Sequence, residues 1–458
     1  MSVVANPESP LPPGPPLRDW FDMWSRLLTG KKMWSPPEYM LHLIREYGDV
    51  TRYWGPYFPI FCIANPEYVK EILTTAWPHY VKGTIDYKVV GAVLGNGLVT
   101  NDGPHWASQR RLMQPVFGNR STNQFGQVIN EMAEDLARQW ENYDCDRIVQ
   151  LDQEMSRITF QVVSRTLFGA NIDHVADEMV EILDLVNQNP MKLESLFRLW
   201  PNLPLPGNSA FRKVKQRLND IVDNLVDDHR NEGKTDGDIV DRLIAARNEE
   251  DGSGMTNEQM RDEIITLMLA GHETSATALT WTFYLLSQNP EVENNLREEL
   301  GSVLKGRGAD AKDLAELPYL KQVVQESMRI YPPVWGIARK SVIETKFNGY
   351  KIPKNSYIAI SIFGLHRHPD FWHKPEKFDP SRFDSSQQQS RHSYSYLPFA
   401  AGPRACIGAG MAMLEVQLVL ARLLQSFKVT PIPKHPIEPL PVVTLKQRYG
   451  MPVRLEKI

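Results

Sequence analysis

The span Asn257–Gln288 narrows most sharply what this chain can fold into. A turn at Asp251-Gly252-Ser253-Gly254 precedes a long helical pattern, and Ile264–Leu269 within it is almost wholly apolar. A helix that is apolar all round is buried on every side, so the rest of the chain must wrap around it. Its centre then breaks the pattern with Ala270-Gly271-His272-Glu273-Thr274-Ser275, followed by Thr277. Glycine costs about 1 kcal/mol against alanine inside a helix, and serine and threonine compete there for backbone hydrogen bonds. Such a cluster in a buried helix implies a use. Ala270 and Thr274 share one face with Gly271 beside them, leaving a notch where a diatomic ligand can sit above a metal. Thr274 can donate a hydrogen bond there, and Glu273 can relay protons through water. His272 reads as a satisfied helix histidine rather than a ligand.

A second stretch bears on the first. Phe399-Ala-Ala-Gly402-Pro-Arg404-Ala-Cys406-Ile-Gly408 stands just before the apolar run Ala409–Leu424. It sets a thiol between glycines at the mouth of a helix, with Gly408 removing bulk where close approach is expected. Most lone cysteines are small buried hydrophobes. Here the free N–H groups and positive end of the helix dipole favour a thiolate, and a thiolate in an apolar loop can ligate a haem iron.

The run fits Phe-x-x-Gly-x-Arg-x-Cys-x-Gly at every fixed position and so resembles the haem-ligand loop of the cytochrome P450 superfamily. The central helix resembles that family's Ala-Gly-x-(Asp/Glu)-Thr-(Thr/Ser) oxygen-activation motif, with His272 in the variable slot. The resemblance covers nearly the whole chain. It implies a mainly α fold with small β-sheets, a triangular-prism helical body with haem between the oxygen-activation helix and the cysteine-loop helix. A Pro-rich leader over 1–18 and a single catalytic haem domain over 19–458 are expected. Cys406 would be the axial ligand of haem b (iron protoporphyrin IX), with Phe399, Arg404, Gly408, Ala270 and Gly271 around the cofactor and Thr274 and Glu273 catalytic.

Composition fits this frame. The 458 residues are 42% apolar and 23% charged, and a net charge of −4 leaves no footprint for nucleic acid. Three widely spaced cysteines, Cys62, Cys145 and Cys406, make a disulfide framework unexpected and suit a reducing interior. Cys62 reads as packing, and Cys145 has no assigned role. No window has the apolar length to span a bilayer, and the N-terminus lacks a signal-peptide pattern, so a cytoplasmic protein is expected.

In chain order, Trp20–Glu46 has helical spacing, Val50–Trp54 and Ile60–Ala64 alternate as paired strands around Gly55-Pro56, and Pro66–Thr74 reads as a short helix. Tyr80–Thr100 reads as a glycine-rich loop with short helical pieces. By resemblance it drapes over the substrate, with Val99 facing the haem. Asn101-Asp102-Gly103 caps a helix on which Trp106 and Arg110 share a face, a site for a carboxylate. In the family this pair grips a haem propionate. Ile129–Trp140, Gln153–Phe168 and Asp177–Gln188 look like scaffold helices. The proline-punctuated link Trp200–Gly207 before the polar helix Phe211–Arg230 matches the family's lid.

Pro318–Ile330 carries Glu326 and Arg329, a spacing that by itself is a solvated helix pair. By resemblance Glu326, Arg329 and Arg382 form a buried structural triad. Val334–Val342 is expected as a strand, with Arg339 a second propionate partner. Val334 and Trp335 would line an apolar pocket together with Val99, Leu267 and Ala270. Polar Asp384–Ser395 is expected to be flexible, and Val442–Ile458 to alternate as a closing hairpin.

The implied reaction inserts one oxygen atom of O2 into a lipophilic substrate, by hydroxylation or epoxidation, and the overall pattern leans to long-chain fatty acids. Electrons from NAD(P)H would arrive through a separate ferredoxin or flavodoxin and its reductase, because the chain has no Gly-x-Gly-x-x-Gly fingerprint and no cysteine cluster. Arg404, Arg110 and Arg111 would offer the docking charge. The alternatives are a peroxygenase, a haem-thiolate isomerase and, in another class, a haem-based sensor. The first two have little use for the Glu273–Thr274 pair, and the third needs an output domain.

Overall fold

The computed structural model describes residues 10–16, 35–55, 57–144, 146–169, 200–233, 238–247, 252 and 254–458. Cys145, the helix expected over Asp177–Gln188 and most of the stretch expected to be helical before Pro36 lie outside the described residues. The chain divides into two compact units, Met1–Thr84 with Val334–Lys377 and Gln389–Ala405, and Ile85–Pro333 with Phe378–Gln388 and Cys406–Ile458.

The first unit is built on a five-stranded sheet in the order Val50–Trp54, Pro59–Ile63, Tyr357–Ile360, Ile337–Ser341, Tyr80–Val81. The β-branched alternation of the first two strands pairs them antiparallel, with Val50 opposite Ile63 and Trp54 opposite Pro59. Pro59–Ile63 then runs parallel to Tyr357–Ile360. Ile63, Ile72, Phe347, Ile358, Ile360 and Leu365 close one core, while Met40, Ile44, Cys62 and Ala64 close another beneath the helix Pro36–Tyr47. Cys62 is fully buried and its thiol is pushed up to about 12, consistent with packing. The Pro-rich leader is not a separate stalk over residues 10–16: Pro13 accepts hydrogen bonds from Arg52 N–H (2.8 Å) and the Thr51 hydroxyl (2.9 Å), and Pro10 accepts from Lys351 N–H (2.9 Å).

The second unit is helical. The central helix spans Asn257–Gln288, opened by a capping box in which Thr256 and Gln259 exchange side-chain-to-backbone hydrogen bonds of 3.2 and 2.8 Å. Leu151–Leu167, Asn208–Glu232, Pro318–Ile330 and the cysteine helix Ala409–Ser426 all pack on it. Two of its buried threonines, Thr280 and Thr282, satisfy their hydroxyls on the carbonyls of Ala276 (2.8 Å) and Ala278 (2.7 Å). Trp281 stacks on Tyr331 at 3.9 Å and donates its indole N–H to the Leu445 carbonyl at 2.7 Å.

Within Tyr80–Thr100 the helical piece is Ile85–Leu94, 10 residues long, where burying Val89, Val93 and Leu94 outweighs the cost of Gly91. Two local expectations change. Ser385–Ser390 is a short helix rather than an irregular stretch. The tail does not fold on itself. Leu445–Gln447 pairs with Pro439–Pro441, and Pro452–Lys457 is the middle strand between Ile148–Gln150 and Phe427–Pro431. Among the described residues no helix is long and apolar enough to cross a membrane.

Glu326, Arg329 and Arg382 come together. Arg329 donates to both Glu326 oxygens (2.7 and 2.9 Å), while Arg382 Nε (3.3 Å) and the Asp379 N–H (2.9 Å) share Oε1. Glu326 and Arg329 are 0% exposed, so removing the carboxylate strands a buried guanidinium. Glu326→Ala is therefore expected to destabilise the protein by about 3–5 kcal/mol, read from urea-denaturation midpoints, with Glu326→Asp losing less.

Candidate active site

The central helix presents the expected notch. Leu269, His272, Glu273 and Ser275 are buried, whereas Ala270 is exposed and Gly271 and Thr274 are half-exposed. An exposed alanine in mid-helix, with Met268 and Leu269 buried just before it, marks a face that no side chain covers. Gly271 has its own packing reason, since a Cβ there would press on Val163 at 3.1 Å. Thr274 donates its hydroxyl to the Ala270 carbonyl at 2.9 Å, which fixes its rotamer and leaves the oxygen's lone pairs available.

Glu273 points away from bulk water, 5% exposed, and is held by Thr444 Oγ1 and Lys446 Nζ, each at 3.0 Å. Lys446 is itself part-exposed, so this acid is joined to the protein surface through one cation. Neither partner was foreseeable from sequence. They lie in the hairpin after the cysteine helix, far along the chain and without a motif. His272 is fully buried with Nε2 on Ser156 Oγ at 2.9 Å, while Nδ1 has no hydrogen-bond partner among the described residues. Burial pulls its pKa down to about 4, outweighing the attraction of Glu273. A third polar group faces this helix. Glu415 of the cysteine helix is 1% exposed and pushed up to about 8 by burial, with the Ser275 hydroxyl opposing the shift.

Cys406 is exposed, at the start of the cysteine helix, whose first cap is Gly408. Two influences on this thiol oppose each other: desolvation raises its pKa, while the Gly408 N–H and the Arg110 guanidinium lower it. A bound metal would favour the thiolate. The crowding expected at Gly408 is not with protein, since a Cβ there would meet Phe117 at an ordinary 3.7 Å. Trp106 is buried and Arg110 half-buried on the helix Gly103–Met113, and burial lowers the Arg110 pKa against the attraction of Cys406. A desolvated cation beside a thiol suits an anionic partner such as a carboxylate.

The remaining expected residues belong to the first unit. Phe399 and Arg404 flank a loop in which Ala400 (φ 57°) and Gly402 (φ 70°) are left-handed, and a Cβ at Gly402 would collide with the Leu73 carbonyl. The fixed glycine of the motif is thus explained by the loop's own packing. Arg339 is 4% exposed on the strand Ile337–Ser341 and donates to the Ala338 carbonyl at 2.8 Å. Val334 is half-buried, and Trp335, also half-buried, packs on the Met40–Ile44–Cys62–Ala64 core. In the second unit Leu267 is buried and Val99 half-buried.

An iron porphyrin suits this donor set: an accessible sulfur, a bare helix face at Ala270, and a desolvated arginine for a carboxylate.

Comparison with known proteins agrees. A family model described as Cytochrome P450 matches residues 12–451. Cyclooctatin synthase of Streptomyces melanosporofaciens is 33% identical over 89% of each chain. Cyclooctat-9-en-7-ol 5-monooxygenase of the same organism is 30% identical over 88% of this chain and 87% of its own, and leukotriene-B4 omega-hydroxylase 3 of Mus musculus is 30% identical over 97% and 89%. The crystal structure of the cytochrome P450DA heme domain superposes with a TM-score of 0.83 at 23% identity, covering 98% of this chain and 97% of that one.

Since His272 is neutral in the fold and titrates near 6.5 when unfolded, the unfolded state takes up the extra proton between about pH 6.5 and 4. Stability should fall through that window as pH drops. His272→Gln should flatten this acid limb in chemical denaturation, by up to roughly 3 kcal/mol at the acid end.

Proposed function

Because the chain belongs to the cytochrome P450 family, with haem as the cofactor that membership implies, we propose that this monooxygenase oxidises a lipophilic substrate with electrons from a separate redox partner, and that residues 19–458 work as one catalytic haem domain. When bound, the haem supplies the activation of O2, so that one oxygen atom enters a C–H or C=C bond and the other leaves as water, consuming two electrons and two protons.

The chain's own residues have separable tasks. Cys406 would hold the iron through Sγ, giving up its proton on binding. Trp106, Arg110 and Arg339 would be donors to the cofactor's carboxylates. Phe399, Arg404, Gly408, Ala270 and Gly271 shape the protein around it. Thr274 holds a proton at Oγ1 on the notch face, and Glu273, tethered to Thr444 and Lys446, replenishes it from the Lys446 side. Val99, Leu267, Ala270 and Val334 supply apolar contact surface. The single observation that carries the reading is the bare face at Ala270 beside a hydroxyl and a buried acid on an otherwise enclosed helix.

Relatives named for cyclooctat-9-en-7-ol and for leukotriene B4 differ in what they act on. They support the class, and the lean to a long-chain fatty acid rests on the sequence pattern. A cytoplasmic setting and a ferredoxin or flavodoxin donor are proposed with it, with Arg110, Arg111 and Arg404 supplying docking charge.

The test is spectroscopic first. Reduced protein with carbon monoxide should give the absorption band of a thiolate-ligated haem, and Cys406→Ala should lose it. Thr274→Ala should keep the band and divert NAD(P)H electrons to hydrogen peroxide, lowering product per NAD(P)H by up to roughly a hundredfold, the lower end for a positioned proton donor. Unchanged coupling in that variant would favour an isomerase or a sensor instead.

A further inference from the structure

Two adjacent acids near the start of the central helix have no part in the chemistry above. Asp262 Oδ2 accepts the backbone N–H of Asn96 at 2.7 Å, and Glu263 Oε2 accepts that of Leu98 at 3.0 Å. Both donors belong to the loop that leads from the helix Ile85–Leu94 to Val99. The loop is braced within itself, with the Thr100 hydroxyl on the Gly95 carbonyl (2.6 Å) and the Thr100 and Asn101 N–H groups on the Gly97 carbonyl (3.0 Å each). Contact with the helix is backbone-close. A Cβ at Gly95, which is also left-handed, would collide with the Asp262 carboxylate, and one at Gly97 with the Thr266 hydroxyl. The helix Asn208–Glu232 closes the far side, with Lys215 Nζ on the Ala92 carbonyl at 2.7 Å and Asp223 held bidentate by Arg261 at 2.7 and 2.8 Å.

Glu263 is a costly way to hold a loop. It is 0% exposed, and its Oε1 has no hydrogen-bond partner among the described residues. A leucine would bury more cheaply but could not accept the Leu98 N–H. We propose that Asp262 and Glu263 form a two-point clasp on the Gly95–Thr100 loop, and that Glu263, through the position it gives Leu98 and Val99, determines which ligands the enzyme accepts. Glu263 is a positioning residue. The part played by Val99 rests on the functional reading above, whereas the clasp itself does not.

The clasp also carries a proton. Burial, reinforced by Asp262, pushes Glu263 up to about 8, against the Leu98 N–H, which favours the ionised form. Asp262 is raised as well by burial and by Glu258, with the Asn96 N–H, Lys215 and Arg261 opposing. Opening the loop to water would return Glu263 to its ordinary value near 4.5, so the closed form holds a proton that the open form releases. Rising pH therefore weakens the clasp up to about 8 and no further.

Hydrogen exchange on the haem-loaded protein tests the clasp, using wild type, Glu263→Gln, Glu263→Ala and Gly97→Ala, each first checked for the carbon monoxide band. Glu263→Ala and Gly97→Ala should speed exchange of the Asn96 and Leu98 amides at least about tenfold, equivalent to losing a hydrogen bond to a carboxyl group. Unchanged exchange in both overturns the clasp. Glu263→Gln should keep protection at every pH once intrinsic exchange is corrected for, while wild type loses it towards alkali. An equally flat wild-type profile overturns the proton link. Spectral titration with imidazole and 4-phenylimidazole, two iron ligands of different bulk, should give a changed ratio of dissociation constants in Glu263→Ala. Faster exchange with an unchanged ratio overturns the specificity role. A wild type without the carbon monoxide band would sink the haem reading and leave the exchange result standing on its own.

Discussion

A helix sealed on all sides cannot hold a charged group without a partner, and that rule organises the second unit. The central helix carries Glu263 and Glu273 at 0% and 5% exposure, and Glu415 of the cysteine helix is buried against it. Each solves the problem differently. Glu273 is met by a lysine and a hydroxyl. Glu263 takes one backbone N–H and keeps its proton into the neutral range. Glu415 also stays protonated, against a serine. The central helix thus carries two buried acids and faces a third, and its only uncovered patch among Leu267–Ala278 centres on Ala270, with Gly271 and Thr274 beside it. An acid within reach of surface charge, next to an exposed hydroxyl, is the arrangement that proton delivery needs.

The Glu326 triad applies the same rule to structure. Two guanidinium groups share one carboxylate, and the backbone N–H of Asp379 completes its shell. Because every polar atom of the carboxylate is engaged, the bend that carries Arg382 can be held only one way. Its value lies in specifying that path of the chain more than in raw stability.

Much of this was legible in the residues. The bounds of Asn257–Gln288 follow from the glycine turn before it and Pro290 after it, and those of Pro318–Ile330 from Pro318 and Pro332, while the motif glycines match local crowding at Gly402 and Gly271. What escaped was non-local. Lys446 and Thr444 reach Glu273 from 171 residues away in the case of Thr444, and neither has a sequence mark. The surroundings of Cys406 were legible only in part, because a helix terminus is visible in sequence while the desolvation around it is not. The tail alternates as any strand pair does, and alternation does not say which strand is the neighbour.

The docked segment 10–16 has a consequence for the first unit's sheet. Val50–Trp54 is an outer strand, and its Arg52 N–H and Thr51 hydroxyl both end on the Pro13 carbonyl. Proline lacks the N–H that would carry a ladder onward, and Gly14 lies so close to the Arg52 carbonyl that no side chain would fit. The segment therefore works as a terminator: it occupies part of the rim where a foreign strand could add, and with prolines at 10, 12, 13, 15 and 16 it offers few N–H groups on which another could build.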